Sequence, residues 1–280
     1  MYSKEHVIRF LEKRFDGVAA DQDAVTRRYN SYVQTTFADY LKECVARYVS
    51  QKTKVLDIGS GFGSFVYLLR KDGIEATGME ISDFLVGYAR HRFDVEFGES
   101  VVSSDEVYLH QSALAIPFSD NSFDVITIWN VLEHLPDYRD LLKEVSRVLK
   151  PGGKLFIKNV NYASCFVEPH YRVLWIPLLP KWIAQVYLKL RGRNPQYLME
   201  EIHYITNSKV LRELTRHDYV ISSRLIDRLA DKAIDIKNPL KRFIFEVLDI
   251  CGLRKTLLWI LKLQLKNPFV DYIDIIATKK

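Results

Sequence analysis

Apolar residues recur at helical spacing twice near the start of the chain, from Ser3 to Phe15 and from Asp23 to Tyr48, where Tyr29, Val33, Phe37, Tyr40 and Leu41 form one stripe. These runs predict two N-terminal helices. The period then shortens. Thr53 to Ile58 is a β-type run, followed by a glycine cluster and an amphipathic stretch from Phe62 to Lys71, which predicts a strand, a tight turn and a helix. The alternation continues with a strand over Glu75 to Ile81, a helix over Asp83 to Arg92 and a buried strand over Phe123 to Trp129 behind Asp120-Asn121-Ser122. Asp137 to Leu149 is the next predicted helix, ended by Lys150-Pro151-Gly152-Gly153, and Lys154 to Val160 the next strand. Strands alternating with helices of this length imply parallel neighbours joined by crossovers, so the expected fold class is α/β with a doubly wound sheet.

After Val160 the rhythm breaks, and Pro169, Pro177, Pro180 and Pro195 interrupt a segment rich in Trp and Tyr. Within it, Lys181 to Leu190 has the pattern of an amphipathic helix. Thr206 is placed to cap a helix running to about Thr215, and Tyr219 to Arg224 resumes strand character. The chain therefore divides into N-terminal helices (1–50), a core (51–160), an inserted cap (161–205), a continuation of the core (206–227), a basic apolar helical insertion (228–267) and a final strand (268–280), with Phe269 to Thr278 as its β run.

Composition narrows the class without deciding it. The 280 residues, 48% hydrophobic and 27% charged, suit a globular enzyme-sized chain rather than a fibrous or disordered one. Cys44, Cys165 and Cys251 are far apart and make neither a disulfide framework nor a zinc motif. The first residues have no continuous apolar run, and the longest uncharged apolar runs are about eight residues, short of the roughly 18 that span a bilayer. A cytoplasmic protein without a signal peptide is expected. The net charge of +5 is too small to announce a nucleic-acid partner, and its distribution is more informative than its size.

Chemistry enters with Val55-Leu56-Asp57-Ile58-Gly59-Ser60-Gly61-Phe62-Gly63. Glycines at 59, 61 and 63 let the chain turn off the strand and let a ligand touch backbone, with Ser60 between them. A dinucleotide fingerprint would need its third glycine at position 64, which is Ser64, so a nicotinamide cofactor is disfavoured. Glu80, about twenty residues beyond the loop and followed by Ile81, is placed to accept the hydroxyls of a ribose. The loop has no basic residue to meet a phosphate, so an adenosine ligand without phosphates fits.

These motifs resemble those of the class I S-adenosylmethionine-dependent methyltransferases, in the branch that includes quinone-biosynthesis O-methyltransferases and small-molecule methyltransferases. Asp57 to Gly63 is similar to the family's first motif, Glu80 to its ribose-binding acid, and Ile116 to Asp124 to the stretch before its fourth strand. Asn130-Val131-Leu132-Glu133-His134-Leu135-Pro136-Asp137 resembles the motif after that strand, and Leu149 to Gly153 the turn before the fifth. The resemblance implies a Rossmann-like sheet of seven strands with the last antiparallel, S-adenosyl-L-methionine as cofactor, and methyl transfer as the activity. Where the family commonly has an acid for the adenine amino group, this sequence has Gln111-Ser112-Ala113, so Gln111 or Ser112 would take that contact. Cofactor contacts are expected from Asp57, Gly59, Ser60, Gly61, Gly63, Glu80, Ile81, Gln111, Ser112 and Asn130.

If the acceptor is a hydroxyl, a histidine near neutral pH is the natural base, and His134, His170 and His203 are the candidates. Glu168-Pro169-His170-Tyr171-Arg172 and Ile202-His203-Tyr204 each place a histidine beside a tyrosine at one end of the cap. They are expected to meet over the donor methyl, with Glu133, Tyr171 and Tyr204 contacting the acceptor. In the quinone O-methyltransferases that this motif resembles, an acid three before the glutamate joins it and the histidine near a metal; here that position is Asn130, and no metal is expected. Arg28 and Tyr29 could approach the donor carboxylate.

Two segments, 169–199 and 237–266, each carry +5 and leave the other 219 residues at −5. Basic residues around Trp and Leu suggest either a lid packed over the site or an interfacial surface on anionic lipid, which would make the protein peripheral at the inner face of a membrane. A hydrophobic or lipid-linked acceptor, most simply methylated at oxygen, is the expectation; a sugar, polysaccharide or protein acceptor and a non-catalytic binding protein of this fold are the alternatives. Nucleic acid is not expected, because the cations are mixed with aliphatic residues. The sequence leaves the oligomeric state open.

Overall fold

The computed structural model describes residues 2–18, 22–98, 102–224, 226–227, 252–268, 270 and 272–280. Seven strands form one sheet: β1 (Lys54–Ile58), β2 (Glu75–Glu80), β3 (Tyr108–His110), β4 (Phe123–Trp129), β5 (Leu149–Val160), β8 (Tyr219–Ser222) and β9 (Tyr272–Lys279), in the order 3-2-1-4-5-9-8. Pairings from β3 through β5 are parallel, whereas β9 runs antiparallel to both β5 and β8. The antiparallel last strand and the doubly wound α/β class agree with the pattern of the sequence.

Both faces of the central strands are covered, and alternate residues divide between two cores. Leu56, Ile58, Ile126, Ile128, Leu155 and Ile157 join one with α7 (Tyr138–Val148), α10 (Asn207–Arg216) and the cap; Val55, Val125, Phe156 and Ile276 join the other with α3 (Thr36–Val45), α4 (Ser64–Lys71) and α5 (Asp83–Phe97). Two-sided burial explains why these strands are nearly continuous apolar runs. Helix α1 (Lys4–Arg14) and α2 (Gln22–Tyr32) pack Val7, Leu11 and Val25 with Phe62 and Leu85, which brings the N-terminal segment over the glycine loop.

The single helix expected from Asp23 to Tyr48 is two. It breaks before Thr36, where Thr35 takes a φ of 24°, and the stripe from Tyr29 to Leu41 is shared between α2 and α3. The strand expected to reach Arg224 stops at Ser222, and the final strand begins at Tyr272; Phe269 lies outside the described residues, as does much of the 228–267 insertion. β3 has only three residues at an edge of the sheet, too few to show a period in sequence. Thr206 caps α10 as expected, its side chain accepting from the Lys209 amide. The cap consists of a hairpin, β6 (Val167–Glu168) and β7 (Val173–Leu174), then α8 (Lys181–Leu190) and α9 (Gln196–Glu201). Helix α6 (Ser104–Val107) precedes β3, and α11 (Arg254–Leu265) precedes β9.

Candidate active site

A cavity of about 710 Å³ opens at the carboxyl ends of β1, β2 and β4, where open α/β sheets bind ligands. Its floor is the glycine loop. Gly59 and Ser60 donate their amides to the Met79 carbonyl (2.8 and 3.0 Å), which folds the chain sharply off β1. Gly59 needs to be glycine twice over: its φ is +73°, and a Cβ there would stand 2.3 Å from Cγ2 of Val131. Gly61, at φ +56°, has open space where a Cβ would go, so its backbone faces the cavity. Gly63 closes the turn by donating to the Ser60 carbonyl.

Two carboxylates flank this loop. Glu80 accepts from the amides of Gly61 (3.1 Å), Ile81 and Ser82 (2.9 Å each), which aims it across the glycine turn. Asp57 is fully buried and accepts from Thr127 Oγ1 at 2.6 Å; burial raises its carboxyl to about 7, against that hydrogen bond and with the help of the nearby Glu80 charge. Ile81, Gln111 and Ser112 line the far side. The Gln111 side chain donates to the Ala115 carbonyl, and Ser112 Oγ accepts from the Leu114 amide, so both side chains shape a turn at the cavity edge. Asn130, at the end of β4, adopts a φ of +53°, a region that Asn tolerates better than most residues.

The opposite wall carries the ionisable chemistry. Glu133 and His134 sit in a short 3-10 turn after β4. Glu133 is 1% exposed, and one of its oxygens, Oε2, has no hydrogen-bond partner among the described residues. Burial pushes it up to about 7. His134 Nδ1 lies 3.0 Å from the Glu201 carbonyl; a carbonyl only accepts, so Nδ1 carries the hydrogen and Nε2 keeps its lone pair. Burial and the neighbouring His170 lower its pKa to about 4.

His170 is held differently. Its Nδ1 is 2.8 Å from Oε1 of the fully buried Glu168, which also accepts from the Tyr162 hydroxyl (2.9 Å) and the Tyr171 amide (2.6 Å). Burial works to lower the His170 pKa, but the hydrogen bond and charge of Glu168 outweigh it and the net shift is upward. Glu168 is correspondingly lowered: burial opposes ionisation, and the His170 bond and charge overcome it. The two imidazole rings are 5.9 Å apart, with Tyr197 at 5.5 and 6.2 Å from them. Glu133, His134 and His170 each offer a ligand atom within 4.8 Å of the others, a spacing that could hold a metal ion. Arg28, from α2, donates through Nη2 to the His170 carbonyl and stacks on Phe15, while its buried Nη1 has no hydrogen-bond partner among the described residues.

Residues 56–157, spanning this cradle, match the methyltransferase domain family. A demethylmenaquinone methyltransferase of Staphylococcus aureus is 38% identical over 152 residues, 53% of this chain and 58% of that protein; one of Lactococcus lactis is 24% identical over 211 residues, 74% of this chain and 80% of that protein. The chain thus spans little more than half the length of the S. aureus relative. These matches identify residues 56–157 as a methyltransferase domain of the class I S-adenosylmethionine-dependent kind. A Haemonchus contortus phosphoethanolamine N-methyltransferase, solved with phosphomonomethylethanolamine and S-adenosylhomocysteine, shares the fold at a TM-score of 0.51 and 18% identity, over 86% of this chain and 52% of that one.

The methyltransferase uses S-adenosylmethionine, and its cradle suits that donor. Glu80 stands beside the open Gly61 backbone, and with Asp57 it puts two carboxylates on the cavity lining, which suits a donor that carries positive charge on sulfur and nitrogen. A cation there would draw the raised Asp57 carboxyl back toward its ionised form. Other members of the expected site fall elsewhere. His203 does not line the cavity; its backbone amide donates to the Glu133 carbonyl, and the partner that the fold brings to His170 is His134. Tyr171 is buried, with its hydroxyl engaged by the Asn194 carbonyl and the Leu198 amide, and Tyr204 stacks on Tyr162 at 4.7 Å; both support the cap instead of lining the cavity. Tyr197, Tyr32 and Phe10 line it without having been singled out, because ordinary aromatic residues on helices carry no local signal for a site. Glu168 stood in the cap motif, but its role beneath His170 appears only when the hairpin folds.

Proposed function

We propose that this methyltransferase transfers a methyl group to a hydroxyl of a hydrophobic or lipid-linked small molecule, with His170 as the general base. The observation that carries this reading is the contrast between two adjacent histidines above the donor cradle, one backed by a buried carboxylate and the other kept neutral by burial, with its Nδ1 hydrogen directed at a carbonyl. S-adenosylmethionine, when bound, supplies an activated methyl on a sulfonium, so the chain's own work is positioning, proton removal and exclusion of water. His170 Nε2 takes the hydroxyl proton while the oxygen takes the methyl group. Glu168 stabilises the imidazolium that results, as a carboxylate behind a catalytic histidine does. His134 presents an uncharged lone pair beside it to orient the acceptor, and Tyr197 covers both rings. Arg28 holds the donor carboxylate through Nη1, a reading supported by that atom's being buried without a partner among the described residues.

The apolar lining from Phe10, Phe37, Leu41, Phe65 and Val131 favours a greasy acceptor. The relatives' names add a quinone-type acceptor as the first to try. The test is methyl incorporation from labelled S-adenosylmethionine into lipid and polar extracts and into demethylated quinols, comparing the wild type with His170→Ala. Loss of turnover with donor affinity retained supports the assignment; unchanged turnover overturns it. Because His170 must lose a proton to act, kcat/KM should rise with pH through an inflection above the ordinary 6.5, and Glu168→Gln should move that inflection downward.

A further inference from the structure

The cap has a second apolar face that its own fold does not use. In α8, Ala184 and Leu188 are buried against the core, whereas Trp182, Val186 and Leu190, four residues apart, form a stripe on the outside. Trp182 is 70% and Leu190 82% exposed. The hairpin repeats this division: the Glu168–Val173 pair faces inward, while the cross-strand Val167–Leu174 pair faces out beside exposed Phe166. The two surfaces are continuous, because the Tyr187 hydroxyl of α8 donates to the Leu174 carbonyl at 2.8 Å and its ring packs against Trp175. Isolated exposed hydrophobics are ordinary, but a joined set of this size marks an interaction surface.

Charge identifies the partner. From 169 to 199 there are five basic residues and no acid; Lys181 is committed to the Met199 carbonyl, and Arg172, Lys189 and Arg191 are exposed. We propose that this hairpin–helix face docks on an anionic membrane surface, with Trp182, Leu174 and Leu190 at the acyl boundary and the three cations among lipid phosphates. A second copy docked symmetrically would set these cations near their own symmetry mates, with no acid in the segment to offset them. The same hairpin carries Pro169 and His170, which line the cavity, so docking holds the catalytic wall close to the bilayer. The benefit to a lipid-linked acceptor rests on the function proposed above; the docking itself does not.

The experiment is flotation of the full chain with phosphatidylcholine vesicles and with vesicles containing phosphatidylglycerol, at low and high salt. About a factor of five per exposed cation gives roughly a hundredfold preference for the anionic vesicles, falling as salt is raised. Lys189→Glu/Arg191→Glu should remove most of that preference, and Trp182→Glu/Leu190→Glu should abolish binding while calorimetric S-adenosylmethionine binding is kept. Absence of binding at low salt, equal binding to neutral vesicles, or wild-type binding by the Trp182→Glu/Leu190→Glu variant overturns the proposal. So does light scattering that shows a dimer broken by that variant without any vesicle binding. Turnover on a detergent-dispersed acceptor separates a failed docking face from a failed methyltransferase assignment.

Discussion

Replacing His170 by Ala should cost more stability than its size suggests, because it strips the counter-ion from Glu168. In the wild type, Glu168 is fully buried and its charge is met by three hydrogen bonds, of which the one from His170 is charge-assisted. Removing one partner of a buried pair typically costs about 3–5 kcal/mol, because the remaining charge stays desolvated. The Tyr162 hydroxyl and Tyr171 amide remain, so the lower end, about 3 kcal/mol, is expected here. Adding Glu168→Gln removes the stranded charge and should recover about 1–2 kcal/mol. The sign with pH follows from the two shifts. Glu168 is lowered from 4.5, so its contribution is present above 4.5 and lost as pH falls through its folded value. His170 is raised from 6.5, so its contribution is complete below 6.5 and lost as pH rises through its folded value. The pair therefore stabilises most between 4.5 and 6.5. Urea unfolding at pH 5.5 and at pH 9 of the wild type, both single variants and the double variant measures this as a cycle. A His170→Ala cost below about 1 kcal/mol at the lower pH, or a double variant no more stable than that single one, refutes the buried ion pair.

Gly59→Ala combines a left-handed backbone with a close approach to Val131 and should lose about 2–4 kcal/mol together with donor binding, whereas Gly192→Ala, also left-handed, at the end of α8 and facing open space, should lose about 1 kcal/mol and keep donor binding; thermal unfolding and calorimetry compare them. Dialysis against a chelator should leave turnover unchanged, since the Nε2 lone pair of His170 that takes the acceptor's proton cannot at the same time bind a cation with Glu133 and His134. Loss of turnover that a divalent ion restores would make those three residues metal ligands instead.

The donor half of the site was legible in the chain because it is local. A strand, a glycine turn and an acid at the end of the next strand lie within 27 residues, and the turn is fixed by a positive-φ backbone that favours glycine. The sheet was legible for a related reason: strands buried on both faces are apolar throughout, and crossover helices show their own period. The break at Thr35 and the three-residue β3 were not, since a helical stripe continues across a short kink and an edge strand is too brief to show alternation.

The acceptor half is the work of tertiary structure. His170 is 36 residues from His134, with α7, β5 and the first strand of the hairpin between them, and nothing in the spacing favours that pair over His170 with His203. The choice is made by side-chain hydrogen bonds across the fold: Glu168 captures Nδ1 of His170, and the carbonyl at the end of α9 captures Nδ1 of His134. Composition likewise showed that the cap is basic and apolar, but only packing decided which of its apolar residues face the core and which face out. By itself the sequence determined a methyl-donor cradle on an α/β sheet; the folded cap decided which titratable groups stand above it, because proximity between distant segments depends on how buried surfaces pack rather than on any local preference.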